Sequence, residues 1–270
     1  MHVLKIFCVL SLLIASQSLS ATNLARENQI EMELRKDVIE GEIITLGSGP
    51  KSFISIYTRS TLPFKQGGVI LIHDLGKNPD SPEIIRPLRT RLVEHGWDTL
   101  SIQMPVAGKF SHRKTYDSMI PEAIDRINEA VSFFTKKNNF NLGIVAHGHG
   151  AATGAHYLAT TPLEVVGGMI AISMDLETPH SKDDLKKIKV PFIDIYGELD
   201  LNSVTKSASD RKRAVSFNAA NLKYRQIRKT GADHFFTGLE DSLFGTVRNW
   251  LAKNVAGEEV ILKQDESAGN

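Results

Sequence analysis

The chain has 270 residues and is 41% hydrophobic, enough for one sizeable core and a single α/β domain of ~200–250 residues. Lys and Arg number 32 against 31 Asp and Glu. No basic face is implied, which argues against nucleic acid as a partner.

The first twenty residues differ from the rest. Lys5 is followed by the apolar run Ile6–Ala15, and Ser18-Leu19-Ser20 places small residues ahead of Ala21. This is the pattern of a secretory signal peptide, with an apolar run too short to span a bilayer. The expected divisions are a leader at 1–20, an N-terminal arm at 21–37, one domain at 38–256 and a flexible tail at 257–270. Cys8 is the only cysteine and falls in the leader. The cleaved chain would have no disulfide, no thiolate nucleophile and no Cys-based metal site. A cysteine-free exported chain suits a bacterial periplasm or exterior, with no stable membrane span after cleavage.

The arm is polar and charged, starts loose, and carries a weak helical pattern at Ile30, Met32 and Leu34. Val38–Leu46 and Phe53–Arg59 read as an antiparallel hairpin at a sheet edge, joined by Gly47-Ser48-Gly49-Pro50. Val69–Ile72 is a continuous apolar run of the kind found at the centre of a parallel sheet. Pro79–His95 reads as a helix, capped by Asp80 or Ser81, with Pro82 in its first turn and Gly96 ending it. Trp97–Met104 is a strand stopped by Pro105. A polar loop, Val106–Tyr116, precedes an amphipathic helix over Ser118–Asn138.

The second half repeats the alternation. Leu142–Ala146, Val165–Ser173, Val190–Tyr196 and Leu222–Ile227 read as strands. Helices are expected over 151–159, 182–187, Val204–Ala219 and Leu239–Val255. The whole describes a mostly parallel twisted sheet of about eight strands, with helices on both faces and an antiparallel N-terminal hairpin. A Rossmann nucleotide fold is the runner-up. It fits poorly, because neither Gly-x-Gly-x-x-Gly nor a Walker loop follows the first strand.

Four segments fall at the C-terminal ends of strands, where ligands bind in such sheets. His73-Asp74-Leu75-Gly76 follows the first central strand. Leu75 is placed there to offer a backbone N–H to an oxyanion, unless Asp74 merely caps the turn. Ala146-His147-Gly148-His149-Gly150 has the form of the strand–turn–helix elbow that carries a nucleophile. Its central residue is Gly148, which has no side chain to attack with. The N–H of His149 would be a second oxyanion donor. Tyr196-Gly197-Glu198-Leu199-Asp200 offers an acid, Asp200 first and Glu198 second. Gly231-Ala232-Asp233-His234-Phe235 offers a histidine. The order of elbow, acid and His is that of a hydrolytic triad.

By order, spacing and element type the chain resembles the α/β-hydrolase superfamily. The string from His73 through Pro79-Asp80-Ser81-Pro82 and Pro87-Leu88-Arg89 to Gly96-Trp97 and Gln103-Met104-Pro105 resembles a narrower family of exported, α/β-hydrolase-like bacterial proteins of unknown function. In that pattern Gly replaces the elbow serine. The resemblance implies a fold and a site location, and no reaction.

Asp200 and His234 supply two of the three triad roles and Gly148 cannot supply the third. One outcome is an unusual or non-covalent hydrolase, in which His234 with Asp200 activates water. The alternative is a non-catalytic protein that binds a small molecule, an envelope component or another protein. No cofactor and no metal are expected: His147, His149 and Asp74 or His73 match no established zinc spacing. Ser173, one strand away, is a remote candidate hydroxyl. If the triad is otherwise intact, Gly148→Ser should create esterase activity. The loop Val106–Tyr116 and the segment Met174–Lys189 would overhang the site, and their His112, Arg113 and His180 suggest a polar or anionic ligand.

Overall fold

The computed structural model describes residues 22–161, 165–216, 223–257 and 260–261. The expected leader lies outside the described residues, as do the end of the helix expected at 217–219 and the strand start expected at Leu222. In chain order the elements are α1 (Leu24–Asp37), β1 (Glu42–Leu46), β2 (Phe53–Thr58), β3 (Phe64–Lys65), β4 (Gly67–Ile72), α2 (Ile85–Leu92), β5 (Trp97–Ile102), α3 (Arg113–Asp117) and α4 (Ile120–Lys136). Then follow β6 (Leu142–His147), α5 (His149–Thr160), β7 (Val166–Ile172), α6 (Ser181–Leu185), β8 (Phe192–Gly197), α7 (Asn202–Ser216), β9 (Tyr224–Lys229), α8 (Glu240–Asn254) and β10 (Val260–Ile261).

The main sheet has eight strands in the order β1-β2-β5-β4-β6-β7-β8-β9. The hairpin β1–β2 and the β2–β5 pair are antiparallel, and every pair from β5 onward is parallel. Alternation along the central strands divides the core in two. Ile70, Ile72, Ile144 and Ala146 face one cluster, with Ile127 of α4 and Ala151 of α5. Val69, Leu71 and Val145 face the other, with Leu88 of α2 and Val247 of α8. Two covered faces explain why β4 and β6 read as unbroken apolar runs.

Three elements depart from the sequence reading. The arm is no loose segment: α1 is a 14-residue helix whose N-cap Asn23 accepts a hydrogen bond from the Arg26 N–H. What fastens it is a charge, because buried Glu27 pairs with buried Arg126 of α4. Of the three residues of the weak helical pattern, Leu34 is buried and Met32 is 61% exposed.

The helix expected from Pro79 begins only at Ile85. Asp80 does not cap it. Its carboxylate accepts from Arg89 at 2.6 Å and Arg86 at 2.8 Å, so residues 79–84 wind as turns around a buried ion pair. Part of the expected flexible tail is ordered, since β10 pairs antiparallel with β3. Among the described residues, no helix is long and apolar enough to cross a membrane.

Candidate functional site

The loops after β4, β6, β8 and β9 converge at the C-terminal edge of the sheet. Each brings one of the residues singled out from the sequence. Gly148 links β6 to α5 with φ 55° and ψ −124°, a backbone conformation that costs a residue with a side chain on the order of 1–3 kcal/mol. Its N–H donates to Ile172 O at 2.9 Å, tying the turn to β7. One turn on, Gly150 lets α5 pack against the neighbouring loop: a Cβ there would lie 2.4 Å from His73 O.

The space a side chain at 148 would need is taken. A Cβ on Gly148 would lie 2.1 Å from Asp74 Cγ and 2.1 Å from Asp74 Oδ1. Asp74 therefore does more than cap its own loop. Its carboxylate reaches across to the elbow, where Oδ1 accepts from the His149 N–H at 2.7 Å and the Leu75 N–H adds a second bond. The two backbone donors expected to serve an oxyanion are both spent on this carboxylate.

Asp74 Oδ2 meets His234 Nε2 at 3.2 Å, and His234 Nδ1 meets Asp200 Oδ1 at 2.7 Å. The imidazole thus stands between two carboxylates. Burial alone would lower its pKa, but the bonds to Asp200 and then Asp74 outweigh burial and raise it to about 9. His234 is an imidazolium at neutral pH, donating from both nitrogens. Burial likewise works against ionising Asp74, yet the His234 bond, the nearby imidazoles and the two N–H donors hold its pKa far below the usual carboxylate range. Held between two carboxylates, His234 rests as an acid rather than as a base.

The surrounding groups fix this arrangement. Asp200 Oδ2 accepts from Ser173 Oγ at 2.6 Å and Gly197 N at 3.2 Å, and Oδ1 accepts from Leu201 N at 2.8 Å. Ser173, which the sequence offered only as a remote nucleophile, is a positioning group for the acid. It holds a left-handed backbone, with φ 54°. Glu198 is turned away, bonded to Arg228 and to Gly231 N.

His73 is buried and, largely through that burial, its pKa falls to about 4. As a neutral ring it accepts from Met104 N–H at 3.0 Å on Nε2 and donates from Nδ1 to Asp74 O at 2.8 Å, clamping the loop that carries Asp74. His147 lies against His234 with ring centroids 4.6 Å apart, its Nε2 bonded to His234 O. The side chain of His149 points away to Asp117, at 3.2 Å, so only its backbone joins the site.

Asp74, His147 and His234 hold donor atoms within 4.8 Å of one another, close enough for one ion. The Asp74 oxygens and His234 Nε2 are already hydrogen-bonded to each other and to the elbow, so we read the group as an ion cluster. A small cavity adjoins Asp74, walled by Leu75, Met104, Val106, Tyr116 and Met119, with about 20 Å³ of room. That is little more than one water molecule occupies.

Within the overhanging segments, the charge of Arg113 is already engaged. Arg113 of α3 holds Asp175 through two bonds of 2.8 Å and reaches Thr178 at 2.8 Å, so its charge latches one segment to the other. His180 stacks on His156, and His112 is exposed. The anionic ligand suggested by these residues loses its basis in Arg113.

The sequence matches the family described as "Protein of unknown function (DUF3530)" over residues 15–122 and 111–253. The chain belongs to the DUF3530 family. No curated protein matches it in sequence. In structure this DUF3530 chain is similar to Est1E from Butyrivibrio proteoclasticus, with a TM-score of 0.64 at 14% identity over 79% of this chain and 98% of that one. It is similar to an α/β serine hydrolase homologue from Coxiella burnetii, with a TM-score of 0.63 at 18% identity over 79% and 99%. Dienelactone hydrolase from Anabaena variabilis gives 0.64 at 17% identity over 80% and 98%. The fold of this DUF3530 protein is that of the α/β hydrolases.

Proposed function

We propose that this DUF3530 protein is an exported, periplasmic or secreted, α/β-hydrolase-like protein that works without a seryl nucleophile, an unusual hydrolase built on the His234–Asp200 pair. The observation that carries this reading is the Asp74 carboxylate, which lies against the turn at Gly148 in contact with both the His149 N–H and His234 Nε2. A charged, fully bonded group stands where acyl-enzyme chemistry would need a free hydroxyl beside a neutral imidazole. Export rests on the leader pattern of residues 1–20.

A second reading, a non-catalytic binding protein, is favoured by the backbone N–H groups of the elbow, which are already bonded to Asp74. Two measurements separate them. The protein without its leader is treated with a fluorophosphonate probe, and no serine is expected to be modified. It is then assayed for turnover of small esters and small carbon electrophiles, with His234→Gln as control. Turnover lost in that variant supports the hydrolase. An adduct on any serine overturns the proposal, and absence of turnover with a folded protein leaves the binding reading.

A further inference from the structure

Resting on the hydrolase reading, we infer that Asp74 is itself the nucleophile, and that the site opens small epoxides by way of an ester on Asp74. Three placements carry this. One carboxylate oxygen, Oδ1, sits on the backbone donors of the elbow, bonded to His149 N at 2.7 Å, with the Leu75 N–H also on the carboxylate. The other, Oδ2, faces His234 Nε2 at 3.2 Å. The side chains of His234 and Asp74 keep 10% and 17% of their surface open, so a small molecule can touch both.

A carboxylate is a weak nucleophile toward an acyl carbon, because the anhydride it would form is less stable than the ester it attacks. It is competent toward a strained saturated carbon. The imidazolium between two carboxylates selects the electrophile further. Ring opening of an epoxide releases an alkoxide, which needs a proton at once, and the protonated Nε2 stands beside the attacking oxygen. A leaving group that needs no proton would leave that acid unused.

The steps balance. A lone pair of Oδ2 forms a bond to an epoxide carbon, the C–O bond of the ring breaks, and the released oxygen takes the proton of His234 Nε2. Asp74 is now a neutral hydroxyalkyl ester, and His234 is a neutral base oriented by Asp200. Water attacks Asp74 Cγ and gives its proton to His234. The negative oxygen of the tetrahedral intermediate is Oδ1, already placed on the N–H group of His149. The intermediate collapses, the diol oxygen leaves as an alkoxide and takes the proton back from His234. The remaining carboxylic acid proton passes to His234 and restores the ion pair. The sum is epoxide plus water to diol, with no outside oxidant or reductant. The cavity beside Asp74 holds little more than a water, so the epoxide must be small and must reach Asp74 from the exposed side of the carboxylate.

The test uses the full mature chain and 1,2-epoxypropane. Wild type turned over once in heavy-oxygen water should carry the heavy isotope in Asp74, read by mass spectrometry of its peptide. His234→Gln loses the acid of the first step and the base of the second, so it should form diol roughly 100-fold or more slowly, and the ester that does form should persist, the peptide carrying Asp74 gaining the mass of one epoxide. Asp200→Asn serves in its place if the first variant does not fold, and should accumulate the same adduct. Label or adduct on Asp74 supports the inference. Diol formation without isotope in Asp74 overturns it while leaving a water-activating hydrolase standing. Unmodified Asp74 and no diol, in folded protein that hydrolyses esters in a His234-dependent way, overturns it too. No turnover of any substrate overturns both readings.

Discussion

The carboxylate of Asp74 and a side chain at position 148 compete for one volume. A Cβ on Gly148 would come within 2.1 Å of Asp74 Cγ and within 2.6 Å of Asp74 Oδ2, far inside any real contact. The two residues are 74 positions apart and are brought together because β4 and β6 are parallel neighbours.

Gly148→Ser alone should therefore create no esterase, against what the elbow pattern by itself suggests. It should cost on the order of 2 kcal/mol or more, from backbone strain and from displacing Asp74. Asp74→Gly removes the obstacle. The double variant should be more stable than the sum of the single losses by roughly 1 kcal/mol or more, and it alone should react with a fluorophosphonate at residue 148. A double-mutant cycle by chemical denaturation checks the coupling, and additive losses would show that the two sites do not meet.

The imidazolium predicts a pH signature. His234 is faced by Asp74 and Asp200, with the ring of His147 stacked on it. Its folded pKa, about 9, lies above the ordinary histidine value of 6.5. The stabilisation it contributes is complete below about pH 6.5 and fades as pH rises through about 9, amounting to on the order of 3 kcal/mol. Asp74 and Asp200 shift the opposite way, so their share is complete above about pH 4 and fades as pH falls. Melting temperatures taken across the alkaline range should drop for wild type and drop less for Asp74→Asn, in which Asp200 still faces the ring. Equal drops would mean that His234 is not held charged by Asp74.

Ser173 combines a buried bond to Asp200 with a left-handed backbone. Ser173→Ala loses a charge-assisted bond worth about 1.5–3 kcal/mol and keeps the strain. Ser173→Gly loses the same bond but relaxes the backbone, so it should be the more stable of the two by roughly 0.5–1 kcal/mol. In both, the His234 titration followed by NMR should move toward neutral pH. An unmoved titration would make Ser173 a spectator.

Arg126→Met leaves Glu27 buried without its partner and should cost about 3–5 kcal/mol. Hydrogen exchange should rise through α1. Adding Glu27→Leu should restore much of the loss. If α1 stays protected in the single variant, the ion pair is not what holds it.

The parts of the structure that were legible are those whose signal is local. β4 and β6 announce themselves because both faces are covered, and Asp200 and His234 stand out by their place after late strands. The rest depends on pairings across the chain. α1 has no apolar stripe to read, since its anchor is Glu27. The start of α2 is displaced because Arg89 claims the carboxylate that looked like a cap. Asp74 was visible as a site residue, but its reach to the elbow was not. The one clue was the missing bulk at Gly148, a volume that some other side chain had to fill.

The attachment of the N-terminal segment has a practical side. Thr22 N–H donates to Glu122 Oε2 at 3.0 Å, Asn23 N–H donates to Val106 O at 2.6 Å, and Thr22 Oγ1 accepts from Val106 N–H at 2.8 Å. Val106 is a wall of the cavity at Asp74. Anything joined ahead of Thr22 emerges at the rim of that cavity. An affinity handle or dye placed there would crowd the chemistry it was meant to report. One placed beyond β10 leaves from beside β3, near the start of β4 and at the opposite rim of the sheet.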